Sequence, residues 1–205
     1  MKMHNNIYKL IDEYEIISFD VFDTLIFRGC TSPKDVFAYV ADKMGVGEES
    51  FVSRRIEAER TLRKEQKKEI TIAEIYSKIT SAQEEMTRYV VTEEDAEMQI
   101  CACNLEMKEL YDWVKKKKKI IYIISDMYMN FDFMDRLLKN NGYDGYEKLY
   151  VSSAYGVKKS TGQLYSYILQ HSNIAASRMF HIGDNFKSDY FMPKLKGIEA
   201  YWYRK

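Results

Sequence analysis

The chain has 205 residues, of which 46% are hydrophobic, and its formal net charge is zero. This length fits one domain with a modest insertion, and the balanced charge gives no electrostatic reason to expect nucleic acid or an acidic membrane as a partner. No stretch approaches the roughly 18 apolar residues of a membrane span, and three cysteines without a signal-peptide core predict a cytoplasmic protein without disulfides.

The first strand is predicted at residues 16–19, where apolar and β-branched side chains lead directly into Asp20. A run of this kind is typical of a strand that is buried on both faces. Ligands bind at the carboxyl ends of strands in open α/β sheets. We therefore expect Asp20 to leave a packed core and enter a cleft.

Residues 31–118 carry helical patterns and no strand pattern. Ser32 followed by proline starts one helix, and a capping box starts another at Thr71. The longest helix is predicted to begin near Thr92, and its apolar positions alternate by four and three up to Val114, as in a helical bundle. We therefore expect this segment to be a purely helical insert.

Strands and helices alternate again after the insert. Four further strands are predicted at residues 120–124, 148–151, 178–182 and 198–203. This alternation predicts a doubly wound α/β fold with a parallel sheet of about five strands. The expected domains are an α/β core, residues 1–30 and 119–205, and a helical cap, residues 31–118, hinged near Cys30 and Lys119.

Polar side chains collect at the predicted strand ends and the loops beside them. They are Asp20, Ser125, Lys159, Asp184 and Asp189. The carboxyl ends of parallel strands meet at one edge of a sheet, so these side chains can converge. Carboxylates are hard oxygen ligands suited to Mg²⁺, lysine supplies a counter-charge, and a serine hydroxyl can hold a phosphoryl oxygen. The set predicts a magnesium site beside an anionic, phosphate-like substrate.

Four segments resemble, in order, the four motifs of the haloacid dehalogenase (HAD) superfamily of hydrolases. The first is residues 19–25, the second 123–126, the third Lys159 and the fourth 181–189. The helical insert after the first motif agrees with this resemblance. It implies a Rossmann-like core with a helical cap that closes over the site.

The resemblance implies a covalent mechanism. Asp20 would be the nucleophile and would form an aspartyl-phosphate. Mg²⁺ would be held by Asp20, the backbone carbonyl of Phe22 and Asp184, with Asp189 supporting the site.

The resemblance also implies how the substrate is held. Ser125 and Lys159 would bind the transferring group, and Thr24 would tie the loop down beside it. Arg28 could reach an anionic substrate from the edge of the cap. We expect the substrate to be small and phosphorylated, or otherwise anionic.

The first motif departs from that of the family's phosphatases at one position. Those enzymes carry a second aspartate two residues after the nucleophile, which protonates the leaving group and later activates water. Here Phe22 stands at that position, and Asp23 follows it. Loss of a general acid typically costs about 10²- to 10⁴-fold in rate. We therefore expect slow turnover unless Asp23 or a cap residue supplies the proton.

Three functions stay open from the sequence. The leading one is a Mg²⁺-dependent phosphatase for a small phosphorylated metabolite. An aromatic residue at position 22 also resembles the dehalogenating members, which hydrolyse a carbon–halogen bond through an ester on the nucleophile. The third is a weakly catalytic module that binds a phosphorylated ligand or a partner protein. Segments 19–25 and 125–128 resemble a branch found beside surface-polysaccharide glycosyltransferases.

Overall fold

A computed structural model describes residues 6–30 and 32–204 of the chain. In chain order its named elements are α1 (Asn6–Asp12), β1 (Ile16–Phe19), β2 (Ile26–Arg28), α2 (Pro33–Met44), α3 (Glu48–Glu65), α4 (Ile72–Ser77), α5 (Gln83–Ile100), β3 (Cys101–Cys103), α6 (Leu105–Lys116), β4 (Ile120–Ser125), α7 (Phe131–Asn140), β5 (Lys148–Val151), α8 (Ser152–Tyr155), α9 (Gln163–His171), β6 (Met179–Gly183), α10 (Met192–Leu195) and β7 (Glu199–Trp202). Within the described residues, no helix is long and apolar enough to cross a bilayer.

The predicted parallel sheet is confirmed. Its five strands lie in the order β5–β4–β1–β6–β7, and every neighbouring pair is parallel. Alternate residues of β1 point to opposite faces: Ile17 and Phe19 join the core cluster that includes α1, α6 and α7, whereas Ile16 packs in the cluster with α9. Both faces of the sheet are therefore covered, which explains why the central strand is wholly buried.

Local signals set the starts of two inserted helices as the sequence predicts. Ser32 accepts a hydrogen bond from a first-turn N–H of α2 and forms a capping box with Asp35. Thr71 and Glu74 form the capping box of α4. These bonds satisfy first-turn N–H groups that have no partner inside the helix.

The expectation of a purely helical segment at 31–118 is wrong at one place. The predicted long helix from Thr92 to Val114 is interrupted by β3, which separates α5 from α6. β3 pairs antiparallel with β2, so Ile26 lies opposite Cys103. No local pattern marks this strand, because its hydrogen-bonding partner lies more than 70 residues earlier in the chain.

The segment after β3 belongs to the core. Tyr111 of α6 packs against Phe19 of β1, with ring centroids 5.5 Å apart. The inserted helices are therefore α2–α5, which pack on one another. The division into two domains stays a prediction, and we would draw it at β2 and β3. Thr31, the expected first residue of the insert, lies outside the described residues.

A buried ion pair joins two of the inserted helices and reaches the core. The guanidinium of Arg55 in α3 donates two hydrogen bonds to Glu93 of α5, at 2.9 and 2.8 Å, and both side chains are fully buried. Tyr76 of α4 and Tyr128 of the β4–α7 loop donate their hydroxyls to the same carboxylate. One carboxylate thus ties three inserted helices to the loop that follows β4.

Two more acids of α5 make similar connections. Glu94 accepts hydrogen bonds from Asn130 and from Arg136 of α7, at 2.7 and 2.8 Å. Glu97, which is 2% exposed, pairs with Arg28 of β2 at 2.9 Å. The inserted helices are therefore fixed to the α/β core through α5.

We predict that Glu93→Gln lowers the free energy of unfolding by about 3 kcal/mol, because it leaves the Arg55 charge buried without its main partner. Glu57→Gln is the matched control: Glu57 is exposed and pairs loosely with Arg60 at 3.6 Å, so its loss should change stability by less than about 0.5 kcal/mol. Urea unfolding of both variants measures this. Equal losses of unfolding free energy in the two variants would show that the buried ion pair stabilises the protein no more than the exposed one does.

Candidate active site

Asp20 lies where the sequence predicts, directly beyond β1 at the carboxyl edge of the sheet. Its N–H donates to the carbonyl of Ile182 in β6 at 2.9 Å, and its side chain is largely buried. The chain then makes a tight turn, in which the N–H of Ile26 donates a hydrogen bond to the carbonyl of Val21 at 2.9 Å. The turn places Thr24, which is wholly buried, with its hydroxyl 3.3 Å from Asp20 Oδ2.

Lys159 is buried between two carboxylates. Its ammonium donates to Oδ1 of Asp20 and to Oδ1 of Asp189, the latter at 2.6 Å. Its backbone is fixed by Asp126, whose two oxygens accept the N–H groups of Lys159 and Ser160 at 2.7 and 3.2 Å. Asp126 therefore caps a turn that lies more than 30 residues later in the chain.

Asp189 is the most firmly held carboxylate of the site. Besides Lys159, its Oδ1 lies 3.3 Å from Nε2 of His181, and its Oδ2 accepts the N–H of Asn185 at 3.1 Å. The other ring nitrogen of His181 lies 2.8 Å from the hydroxyl of Ser18. Asp189 lies in a π-helical turn, Phe186–Phe191, which begins three residues after the end of β6.

Gly183, the last residue of β6, makes room for this carboxylate. A Cβ atom at position 183 would lie 2.5 Å from Cβ and 2.6 Å from Cγ of Asp189. Contacts this short do not occur between real side chains, so any other residue would push Asp189 out of place. The absence of a side chain at this position is thus part of the site.

Asp184 completes an acidic cluster. Carboxylate oxygens of Asp20, Asp184 and Asp189 all lie within 4.8 Å of one another. The hydroxyl of Thr24 lies 3.5 Å from Asp184 Oδ1, at the limit of a hydrogen bond. Ser125 ends β4 at the same edge and is buried.

The pKa values of Asp20 and Asp189 are shifted in opposite directions. Burial raises the pKa of Asp20 to about 8; nearby Lys159 opposes this shift, and the Asp189 and Asp184 carboxylates add to it. Burial also opposes ionisation of Asp189, but the Lys159 ammonium and the His181 hydrogen bond hold its pKa below the usual value. Asp189 is thus the permanent counter-ion of Lys159.

Lys159 and His181, which contact the cluster, have defined charge states near pH 7. The pKa of Lys159 is raised, because the carboxylates around it outweigh the effect of burial. Burial lowers the pKa of His181, which therefore stays neutral near pH 7. A neutral imidazole can donate from Nε2 to Asp189 while its Nδ1 accepts from Ser18.

Phe22 and Asp23 line a cavity of about 180 Å³ together with Arg28, Cys30, Ser32 and Pro33. Asp23 adopts a left-handed backbone conformation, with φ of +62°, and is exposed. A positive φ is uncommon for a residue other than glycine, although aspartate tolerates it better than most. The turn therefore brings Asp23 to the same cavity as Phe22, which strand periodicity alone could not decide.

The guanidinium of Arg28 is engaged by other side chains of the protein, which argues against its expected role in substrate binding. Its Nε lies 2.9 Å from Oε2 of Glu97, and its guanidinium stacks over the ring of Phe22 at 4.0 Å. The Glu97 carboxylate offsets its positive charge. Arg28 therefore connects α5 to the first motif, and little of its charge is left for an anion.

Sequence reasoning missed three residues around the site. His181 carries a strand pattern only, yet it supports Asp189. Asn104 caps no predicted element, but its amide donates to the carbonyl of Thr24 at 2.7 Å. Trp202 lies in the last strand, and its indole N–H donates to the carbonyl of Asp184 at 2.7 Å. Asn104 and Trp202 act on residues 80 and 18 positions away in the chain, and a strand pattern at His181 does not show which group its ring contacts.

Solved structures with the same fold include enzymes of two activities. A HAD phosphatase from Thermococcus onnurineus is 13% identical with a TM-score of 0.66, over 93% of this chain and 86% of that chain. A HAD family enzyme from Bacteroides thetaiotaomicron, in complex with magnesium and inorganic phosphate, is 17% identical with a TM-score of 0.65, over 93% and 94%. A 2-haloacid dehalogenase from Pseudomonas syringae pv. tomato is 16% identical with a TM-score of 0.66, over 93% and 86%.

At these identities the structural likeness establishes the fold and no activity. No curated protein matches the chain significantly. The family of haloacid dehalogenase-like hydrolases matches residues 14–195, a segment that contains the four motifs and the whole acidic cluster. The chain therefore belongs to the haloacid dehalogenase-like hydrolases.

Proposed function

We propose that the protein is a Mg²⁺-dependent phosphatase that acts on a small phosphorylated metabolite through an aspartyl-phosphate on Asp20. The observation that carries this proposal is the buried ammonium of Lys159, which contacts Asp20 and Asp189 beside the carboxylate of Asp184. A nucleophilic carboxylate next to a fixed positive charge suits attack on an anionic phosphoryl group.

The acidic cluster fits a divalent cation. Three carboxyl groups face one ammonium, so negative charge is in excess once Asp20 ionises, and a doubly charged ion would offset it. Asp20 and Asp184 are the proposed carboxylate ligands, together with the backbone carbonyl of Phe22. Asp189 is 1% exposed and its Oδ2 accepts a backbone N–H at 3.1 Å, whereas Oδ2 of Asp20 accepts, among the described residues, only the Thr24 hydroxyl at 3.3 Å, so Asp189 fits a supporting role better than direct ligation. When bound, Mg²⁺ polarises the phosphoryl oxygens and offsets their charge.

The proposed reaction begins with attack of the Asp20 carboxylate on phosphorus. The Lys159 ammonium offsets the charge on the transferring group, and the Ser125 hydroxyl binds one of its oxygens. Water then hydrolyses the aspartyl-phosphate and regenerates Asp20. The first step expels an alkoxide, which needs a proton, and the second needs a base that activates water.

Asp23 is the proposed source of that proton. Phe22 cannot transfer one, whereas the left-handed turn at Asp23 brings its carboxylate to the wall of the same cavity. Backbone strain of this kind concentrates at functional sites.

Carbon–halogen hydrolysis is the second candidate. The aromatic ring of Phe22 at the cavity wall favours it. An assay of aryl phosphates, alkyl phosphates and 2-haloacids, each with Mg²⁺ and with a chelator, separates the two. Mg²⁺-dependent phosphate release supports the phosphatase, and halide release that a chelator leaves unchanged contradicts it. Absence of both supports a binding module.

We predict that Asp23→Asn lowers the turnover of alkyl phosphates by about 10²-fold or more, because their leaving group needs a proton. The loss on an activated aryl phosphate should be much smaller. Asp112→Asn, on the exposed face of α6, is the control and should change neither rate. A silent Asp23→Asn would mean that the proton comes from another group.

The reverse change tests the same position. Phe22→Asp should raise turnover of alkyl phosphates, at most within the general-acid range of about 10²- to 10⁴-fold, and raise aryl phosphate turnover only modestly. Asp20→Asn should remove all turnover. Unchanged turnover in Asp20→Asn would contradict the covalent mechanism.

We also predict that Mg²⁺ binding releases a proton near pH 7. The pKa of Asp20 is raised to about 8 by burial. At pH 7 the Asp20 carboxyl is therefore protonated in most molecules, and it must lose this proton to bind a cation. Release should approach one proton per ion at pH 7 and vanish above about pH 9.5, while affinity rises with pH in between. Calorimetry in buffers with different ionisation enthalpies measures this. Binding heats at pH 7 that are equal in all buffers would contradict the raised pKa of Asp20.

A further inference from the structure

The last strand of the sheet, β7, contacts the backbone beside the acidic cluster. β7 pairs in parallel with β6, and this register places Trp202 opposite Gly183. The N–H of Tyr203 donates to the carbonyl of Gly183 at 2.8 Å, and the indole N–H of Trp202 donates to the carbonyl of Asp184 at 2.7 Å. Two successive carbonyls at the end of β6 are therefore held by the C-terminal segment.

The indole ring is itself fixed in direction. The ring of Phe186 meets it edge to face, with centroids 5.0 Å apart, and the Arg204 guanidinium lies 5.0 Å from its centroid. Contacts of this geometry are favourable for aromatic rings and for a cation over a ring. The N–H of Trp202 is thereby aimed at Asp184.

Asp184 is less buried than Asp189. Asp189 is wholly buried and accepts from Lys159 and from the backbone at 2.6 and 3.1 Å. Asp184 is only half-buried, and the hydroxyl of Thr24 lies 3.5 Å from its carboxylate. It is also the first residue beyond β6, where the ladder of the sheet ends. The hydrogen bond from Trp202 fixes its backbone carbonyl at 2.7 Å.

This feature lies outside the part of the chain that defines the family. The family match ends at residue 195, before β7 begins at Glu199. Trp202 therefore lies outside the segment on which the family assignment rests.

We propose that Trp202 is a positioning residue for the magnesium site: its indole N–H fixes the backbone of Asp184 and so directs the Asp184 carboxylate towards the ion. The proposal rests on the proposed function, because it takes Asp184 as a Mg²⁺ ligand. Groups that orient metal ligands contribute to metal affinity without touching the ion.

Trp202→Phe tests the proposal, because it keeps an aromatic ring beside Phe186 and removes the donor. The dissociation constant for Mg²⁺, measured by calorimetry on the full chain, should rise about 3- to 10-fold, as expected for one lost hydrogen bond that orients a ligand. Trp113→Phe is the matched control. Trp113 packs edge to face on Tyr8, and its replacement should leave the dissociation constant unchanged.

A second readout does not depend on the stability of Trp202→Phe. The chain has two tryptophans, so Trp202 is the sole tryptophan in the Trp113→Phe protein. Its fluorescence should change on titration with Mg²⁺, with the same midpoint as the calorimetric titration. Asp184→Asn in that background should abolish the change at the same concentrations.

The outcomes separate this proposal from the function on which it rests. Mg²⁺ binding by the wild-type protein that Trp202→Phe leaves unchanged would overturn the role of Trp202 alone. Silent Trp202 fluorescence at calorimetric saturation would do the same. Failure of the wild-type protein to bind Mg²⁺ would overturn the magnesium site, and the role of Trp202 with it. A lower melting temperature without a change in affinity would show a structural role only.

Discussion

The ammonium of Lys159 lies between the carboxylates of Asp20 and Asp189, and the rest of the site is arranged around this buried charge. A buried ion is costly unless it is paired and hydrogen-bonded. The backbone of Lys159 is therefore fixed by Asp126, and Asp189 is supported by a histidine and a backbone N–H. Asp189 keeps the lysine charged, which leaves the Asp20 carboxyl available for chemistry.

The inserted helices are bound to the core by charge as well as by apolar packing. Glu93 and Glu94 of α5 accept hydrogen bonds from the β4–α7 loop, and Glu97 accepts them from Arg28 of β2. Removing any of these contacts by opening the insert would expose or orphan a buried charge. The inserted helices are therefore bound to the loop that follows β4, to α7 and to β2. Arg28 is part of this connection, because it joins Glu97 to the first motif.

The sequence predicted features that depend on neighbours in the chain. The buried run before Asp20, the capping boxes and the five strands follow from local periodicity and turn chemistry. The short strand β3, the ion pair of Arg28 with Glu97 and the support of Asp189 by His181 were missed or misassigned. Each joins segments that only the fold brings together, or adds a contact that a strand pattern does not reveal.

The central claim is that Asp20 carries the phosphoryl group during turnover. Acid-quenched reactions with a phosphorylated substrate and Mg²⁺, followed by mass spectrometry of the peptide that contains residue 20, test it most directly. The account predicts that this peptide gains the mass of one phosphoryl group while substrate remains and loses it when substrate is exhausted. Steady phosphate release from a protein whose Asp20 peptide is never modified would contradict it.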